Sequence, residues 1–241
     1  GFVYGYKELN RNFCTHLVQQ GFAVFSLNYR PAPETDFLGQ LEDISAAFRW
    51  IRDHRADYPI AQDQVFLTGD SAGGTLALYM TAIERSDEFA NAIDIERSGL
   101  HVAGGALVSP LTDLMPYLAL CGTDPERNAN ESGPASIVEH ISPMFFSRLA
   151  AKKSGLADLE TMAEEVDFPP IFINTSSDDF IQVESLKLAA ALAAARHDVE
   201  LHDWHTNKGE TLGHVFPVCM SWLDESRKVL RMMREFAYKQ L

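Results

Sequence analysis

Apolar positions along the chain fall into two alternating rhythms. Short runs rich in apolar and β-branched residues occur at FAVFSLNY (22–29), QVFLT (64–68), VAGGALVS (102–109), PIFINTS (170–176) and VELHDW (199–204), each with the length and composition of a strand. Between them the spacing lengthens. At 37–54, Phe37, Leu41, Ile44, Phe48 and Ile51 recur every three or four residues and share one face of a helix. Further helices are predicted at about 9–20, 72–86, 142–152, 180–196 and 217–238, the first stopped by Gly21. Near-continuous apolar strands alternating with helices predict an α/β fold: a mostly parallel sheet with helices on both faces.

The stretch 110–166 breaks this rhythm. It opens with PLTDLMPYLAL, crosses the polar run GTDPERNANESGPA and continues into two short helical segments. A connection of that length predicts a lid, cap-like or connecting insertion within a single domain spanning 1–241. At 241 residues, 46% of them apolar, the chain can bury a core of that size.

Charge removes whole classes of partner. Twenty basic against 34 acidic side chains leave a net charge of −14, which repels nucleic acid and anionic membrane surfaces. No run reaches the roughly 18 apolar residues of a membrane span. Cys14, Cys121 and Cys219 are odd in number and far apart, which points to a reducing, cytoplasmic setting rather than a disulfide framework. His202 and His205 fall on opposite sides of their strand, so the H-x-x-H spacing predicts no metal site. The glycosylation-type triplets at Asn130 and Asn174 read as chance matches.

One stretch carries chemistry. In VFLTGDSAGGTLAL (65–78), Ser71 sits between glycines where a strand passes into a helix. A sharp turn there lifts a hydroxyl above the sheet, and the glycines relieve crowding around it. A phosphate cradle fails, because no Lys follows the glycines and Asp70 would repel an anion. The dinucleotide spacing G-x-G-x-x-G is absent too. Asp178 and Asp179 follow the fourth strand candidate and His214 the fifth. The order Ser, Asp, His at strand carboxyl ends is that of a hydrolase triad on an α/β sheet. Spacing alone does not choose between the two aspartates.

GDSAGG (69–74) and YRPAPE (29–34) resemble motifs of the hormone-sensitive-lipase-like esterases of the α/β-hydrolase fold. LEDISAAFRWI (41–51), DDFIQVES (178–185) and GHVF (213–216) are similar to further segments of that family, so the likeness runs through nearly all of the chain outside 110–166. The resemblance implies Ser71 as nucleophile, His214 as base and Asp178 as the acid. It also implies an oxyanion hole at Ala72 and at Gly1, which resembles the last glycine of the family's H-G-G-G motif. On that comparison the His, two glycines and the N-terminal strands of the family's sheet are missing from these residues. The implied activity is hydrolysis of small to medium acyl esters with no metal or organic cofactor. The partner is a small-molecule ester, and a homodimer is compatible with the family. An amidase or peptidase of the same fold and an inactive ligand-binding relative are the alternatives. Glu34 is expected to be structural and Trp204 to pack in its strand, while Met115, Tyr117, Met144, Phe145 and Phe146 are candidate acyl-pocket walls.

Overall fold

The computed structural model describes the chain apart from residues 62–63, 122–136, 153–154 and 208, and describes 137–140 only as part of a helix. The polar run expected in the insertion, with the Asn130 triplet, therefore lies outside the described residues. In chain order the elements are α1 (Arg11–Gln19), α2 (Phe37–His54), β1 (Val65–Asp70), α3 (Ala72–Arg85), α4 (Asp87–Ala92) and β2 (Val102–Val108). Then come α5 (Met115–Leu118), α6 (Ile137–Phe145), α7 (Ser147–Ala151), α8 (Leu159–Glu165) and β3 (Ile171–Ser176). The chain closes with α9 (Gln182–Ala194), β4 (Val199–Trp204), α10 (Phe216–Cys219) and α11 (Asp224–Tyr238).

The strands pair in the order β1-β2-β3-β4, all parallel, so every strand's carboxyl end lies along one edge of the sheet. Alternating side chains feed two apolar layers. Leu67, Leu107, Ile171 and Ile173 join the layer that also holds the buried faces of α2, α3 and α9. Ala106 and Phe172 point the other way, into a layer closed by Phe13 and Leu17 of α1 and by Val229, Leu230, Met233 and Phe236 of α11. Helices on both faces are thus as expected, and β3 is buried along its whole length. Burying each such large side chain contributes about 1.5–3 kcal/mol.

The predicted face of α2 is the buried one: Phe37, Leu41, Ile44, Phe48 and Ile51 all lie in the core. Asp36 caps that helix, accepting a hydrogen bond from the Gly39 N–H at 2.8 Å. Gln40, fully buried, donates to the carbonyls of Phe2 (2.8 Å) and Arg30 (3.0 Å), tying the first residues to the 29–34 turn. Glu34 is exposed on that turn. Phe145 and Phe146 pack with Phe2 and Phe37 in an aromatic cluster of the core, rather than walling a pocket as expected. The single helix expected over 217–238 is two, α10 and α11, with Leu223 as the extended N-cap of the second.

The strand expected at 22–29 does not form. Its backbone is without strand pairing, and its own side chains make ties to backbone elsewhere: Asn28 Oδ1 accepts from the Lys7 N–H at 2.7 Å and the Tyr29 hydroxyl donates to the Gly1 carbonyl at 3.1 Å. Strand propensity is local, but a ladder needs a second backbone about 4.8 Å away. Here the segment and the outer edge of β1, unpaired among the described residues, line one cavity of about 1280 Å³, with Phe22, Val24, Leu27, Phe66 and Thr68 among its walls. Native-state hydrogen exchange should separate the two cases. Amides of 171–176 are expected to exchange only through global unfolding, and those of 23–29 at least ~100-fold faster. Equal protection would show that 22–29 is paired after all.

Candidate active site

The carboxyl edge of the sheet is held by hydrogen bonds that run one residue beyond each strand. Ser71 N donates to Val108 O at 2.9 Å, Ser109 N to Asn174 O at 2.8 Å, and Ser177 N to Trp204 O at 2.8 Å. Each serine thus takes the next rung of a ladder already formed, and the loops above start from fixed positions.

Ser71 stands at φ 52°, ψ −120°, a strained backbone for a residue with a side chain, between β1 and the first residue of α3. The turn is tight enough to dictate two of its glycines. A Cβ on Gly69 would lie 2.2 Å from the Gly73 carbonyl oxygen, and one on Gly74 would lie 2.8 Å from Pro110 Cβ. Gly73, by contrast, has open space around it. Ala72 is buried at the first position of α3, where its N–H lies outside the helix's own ladder. Gly1 lines the same cavity as Ser71 and His214, and its carbonyl accepts from the Tyr29 hydroxyl at 3.1 Å.

The acidic pair after β3 is divided, and not as the motif suggested. His214 Nδ1 is 2.9 Å from Asp179 Oδ1; Asp178 does not meet the histidine. A turn closed by Asp179 N donating to Ser176 O at 3.0 Å tucks Asp179 inward, where its side chain is fully buried, and leaves Asp178 outside. The Asp179 carboxylate also accepts from Ile181 N at 3.0 Å and from Thr175 Oγ1 at 3.4 Å. Burial pushes the Asp179 carboxyl up, but the hydrogen bonds from His214, Ser109 and Ile181 outweigh it and hold it below the usual range.

Asp178 accepts three bonds from the loop that carries the histidine: from Thr211 Oγ1 at 2.5 Å, Leu212 N at 2.9 Å and Gly213 N at 3.1 Å. Desolvation works against its charge, yet donors from Thr211, Gly213, Ser176 and Leu212 lower it to about 2. Gly213 (φ 70°) and Val215 (φ 52°) place His214 between two left-handed residues. Phe180, 78% exposed, lies against the imidazole with ring centroids 4.5 Å apart. Trp204 donates to Asn174 Oδ1 at 2.9 Å and packs on Phe216, the strand-packing role expected of it. Among the described residues no hydrogen bond joins the Ser71 hydroxyl to His214; both line the one cavity. No group of three or more His, Cys, Asp or Glu among the described residues could hold a metal ion.

A family profile described as the α/β hydrolase fold matches residues 1–216. The chain belongs to the α/β-hydrolase family. Within it, the chain is 28% identical to esterase LipI of Mycobacterium tuberculosis over 216 residues, covering 86% of this chain and 61% of that protein. It is 33% identical to carboxylesterase NlhH of the same organism over 195 residues, covering 77% of this chain and 55% of that one. The hydrolase chain therefore spans about three fifths of the length of these curated relatives. Esterase B from Lactobacillus rhamnosis superposes with a TM-score of 0.80 at 28% identity, covering 99% of this chain and 73% of that one. The resemblance to hydrolase esterases drawn from the motifs is thereby upheld.

Two outcomes follow from this geometry. Asp178 has its depressed pKa only in the folded hydrolase, so its contribution to stability is complete above about pH 4 and lost as pH falls towards about 2. The gap in urea denaturation midpoint between Asp178→Asn and wild type should therefore be full at pH 7 and narrow steadily from about pH 4 down to about pH 2; a constant gap would show that the charge is not responsible. At the elbow, Gly73→Ala should fold with unchanged or up to ~1 kcal/mol higher stability, and Gly69→Ala should not fold, as read by thermal melts. Tolerance of alanine at both positions would contradict the tight turn.

Proposed function

We propose that this chain carries the catalytic site of a serine carboxylesterase that hydrolyses small to medium acyl esters. The observation that supports it most is the buried Asp179 hydrogen-bonded to His214 Nδ1, in loops that share one sheet edge with Ser71 on its strained turn. In this reading Asp179 fixes the tautomer that leaves Nε2 free to accept a proton. His214 takes the Ser71 proton as Oγ attacks the ester carbonyl, then returns it to the departing alcohol. The Ala72 N–H and the glycine segment at Gly1 receive the oxyanion, each donor worth about 3 kcal/mol in the transition state. Water, activated by His214, then releases the acid from Ser71.

Short acyl chains are supported by one neighbour. Esterase B of Lactobacillus rhamnosis, in a structure whose chain is 27% identical to this one, is inhibited by a C4-C4 tributyrin phosphonate. The same class of reagent tests the assignment here. Mass spectrometry after a short-chain phosphonate should find the adduct on the Ser71 peptide, and an adduct elsewhere would overturn it. On butyrate esters, Asp179→Asn should lower kcat about 10⁴-fold while Asp178→Asn lowers it far less. The reverse ranking would return the acid's role to Asp178. With matched ester and anilide substrates, an anilide preference would make the enzyme an amidase.

A further inference from the structure

Phe180 directly follows the buried Asp179, yet it is 78% exposed and belongs to neither apolar layer of the fold. Its ring lies against the His214 imidazole, with centroids 4.5 Å apart and planes at 49°. The backbone holds it there. Asp179 N donates to Ser176 O and Gln182 N donates to Asp179 O, both at 3.0 Å, so the turn is closed before α9 begins. A phenyl ring left in water gains little from the hydrophobic effect, so burial does not account for it. What it offers is an apolar surface beside the group that, in the reading above, hands a proton to the departing alcohol.

We infer that Phe180 is a specificity-determining residue that receives the alcohol part of the ester. The inference rests on the esterase reading and assigns the half of the substrate which that reading leaves open. The bond between the acyl carbon and the alkoxy oxygen breaks as His214 Nε2 gives that oxygen the Ser71 proton. The leaving oxygen must therefore come within hydrogen-bond reach of the imidazole. The acyl carbonyl is held elsewhere, at Ser71 and Gly1, and both of these line the cavity. His214 borders that cavity too, whereas Phe180 is not among its walls. The imidazole thus has the acyl side on one flank and Phe180 on another, and the substituent on the leaving oxygen extends past it onto the phenyl ring. An aromatic alcohol gains an offset or edge contact there, which a two-carbon alcohol is too small to make.

Because the side chain is exposed, Phe180→Ala, Phe180→Leu and Phe180→Tyr should all melt close to wild type. Ethyl and benzyl butyrate form the same butyryl-enzyme and release alcohols of similar basicity, so the ratio of their kcat/KM values reads the alcohol side. Wild type should favour the benzyl ester by about fivefold or more. Phe180→Ala should bring that ratio to about one by slowing the benzyl ester, with ethyl butyrate within about twofold of wild type. Phe180→Leu should fall between, and Phe180→Tyr should keep the preference. Ethyl acetate against ethyl hexanoate varies the acyl side, and that ratio should be the same in wild type and variants. An equal loss on both butyrates would make Phe180 a support for the imidazole and overturn the inference. So would a wild type without benzyl preference, a benzyl-to-ethyl ratio that Phe180→Ala leaves unmoved, or a change confined to the acyl series. Phosphonate labelling of wild-type Ser71 is run alongside. Failure to label overturns the esterase reading and this inference together, whereas labelling with an unmoved ratio overturns this inference alone.

Discussion

The site depends on the continuation of the parallel ladder past the strands themselves. Parallel register sets Asp70 beside Val108, Val108 beside Asn174 and Ser176 beside Trp204. The rungs from Ser71, Ser109 and Ser177 then carry that alignment into the loops. Loop backbones usually carry little positional information. Here three of them are pinned at the point where they leave the sheet, and the pinning is as firm as β3, which is buried on both faces. Apolar packing on the two sides of the sheet thus fixes where the loops bearing Ser71 and Asp179 leave the strands.

Electrostatics at this edge is handled by hydrogen-bond donors. The chain carries 34 acidic and 20 basic side chains, and the adjacent carboxylates of Asp178 and Asp179 have no Lys or Arg salt-bridge partner among the described residues. Backbone N–H groups and hydroxyls stabilise both charges instead. Such donors are directional, so each carboxylate is oriented as well as kept ionised. A lysine would supply charge with far less constraint on angle. The two aspartates have different partners: Asp179 meets the imidazole, and Asp178 meets the segment that precedes it.

Much of this was legible in the residues, and the exceptions share a cause. Alternating strand and helix patterns located β1 to β4 and the long helices, because burial imposes those periods directly. The glycines around Ser71 were legible because crowding at a sharp turn leaves few residue types. Residues 22–29 misled, since a pattern reports local preference and cannot report whether a partner backbone lies alongside. Asp178 and Asp179 are chemically identical neighbours, and their difference comes from the turn at Ser176, which rotates one inward. Ser109 looked like a strand residue before a proline. Its left-handed backbone and the bond its hydroxyl accepts from the Val215 N–H exist only once β2, β3 and the 211–215 loop are assembled. Phe145 and Phe146 were placed in a pocket because apolar character does not distinguish lining from core.

The hold of Asp178 on the segment before His214 has a consequence for the order in which this edge comes together. One carboxylate takes Thr211 Oγ1, Leu212 N and Gly213 N at once, so the segment closes on it as a unit. Asp178 leaves β3 and the segment follows β4, so closing needs those two strands already in register. The imidazole is therefore among the last groups to reach its place during assembly, and among the first to leave it when the protein opens locally.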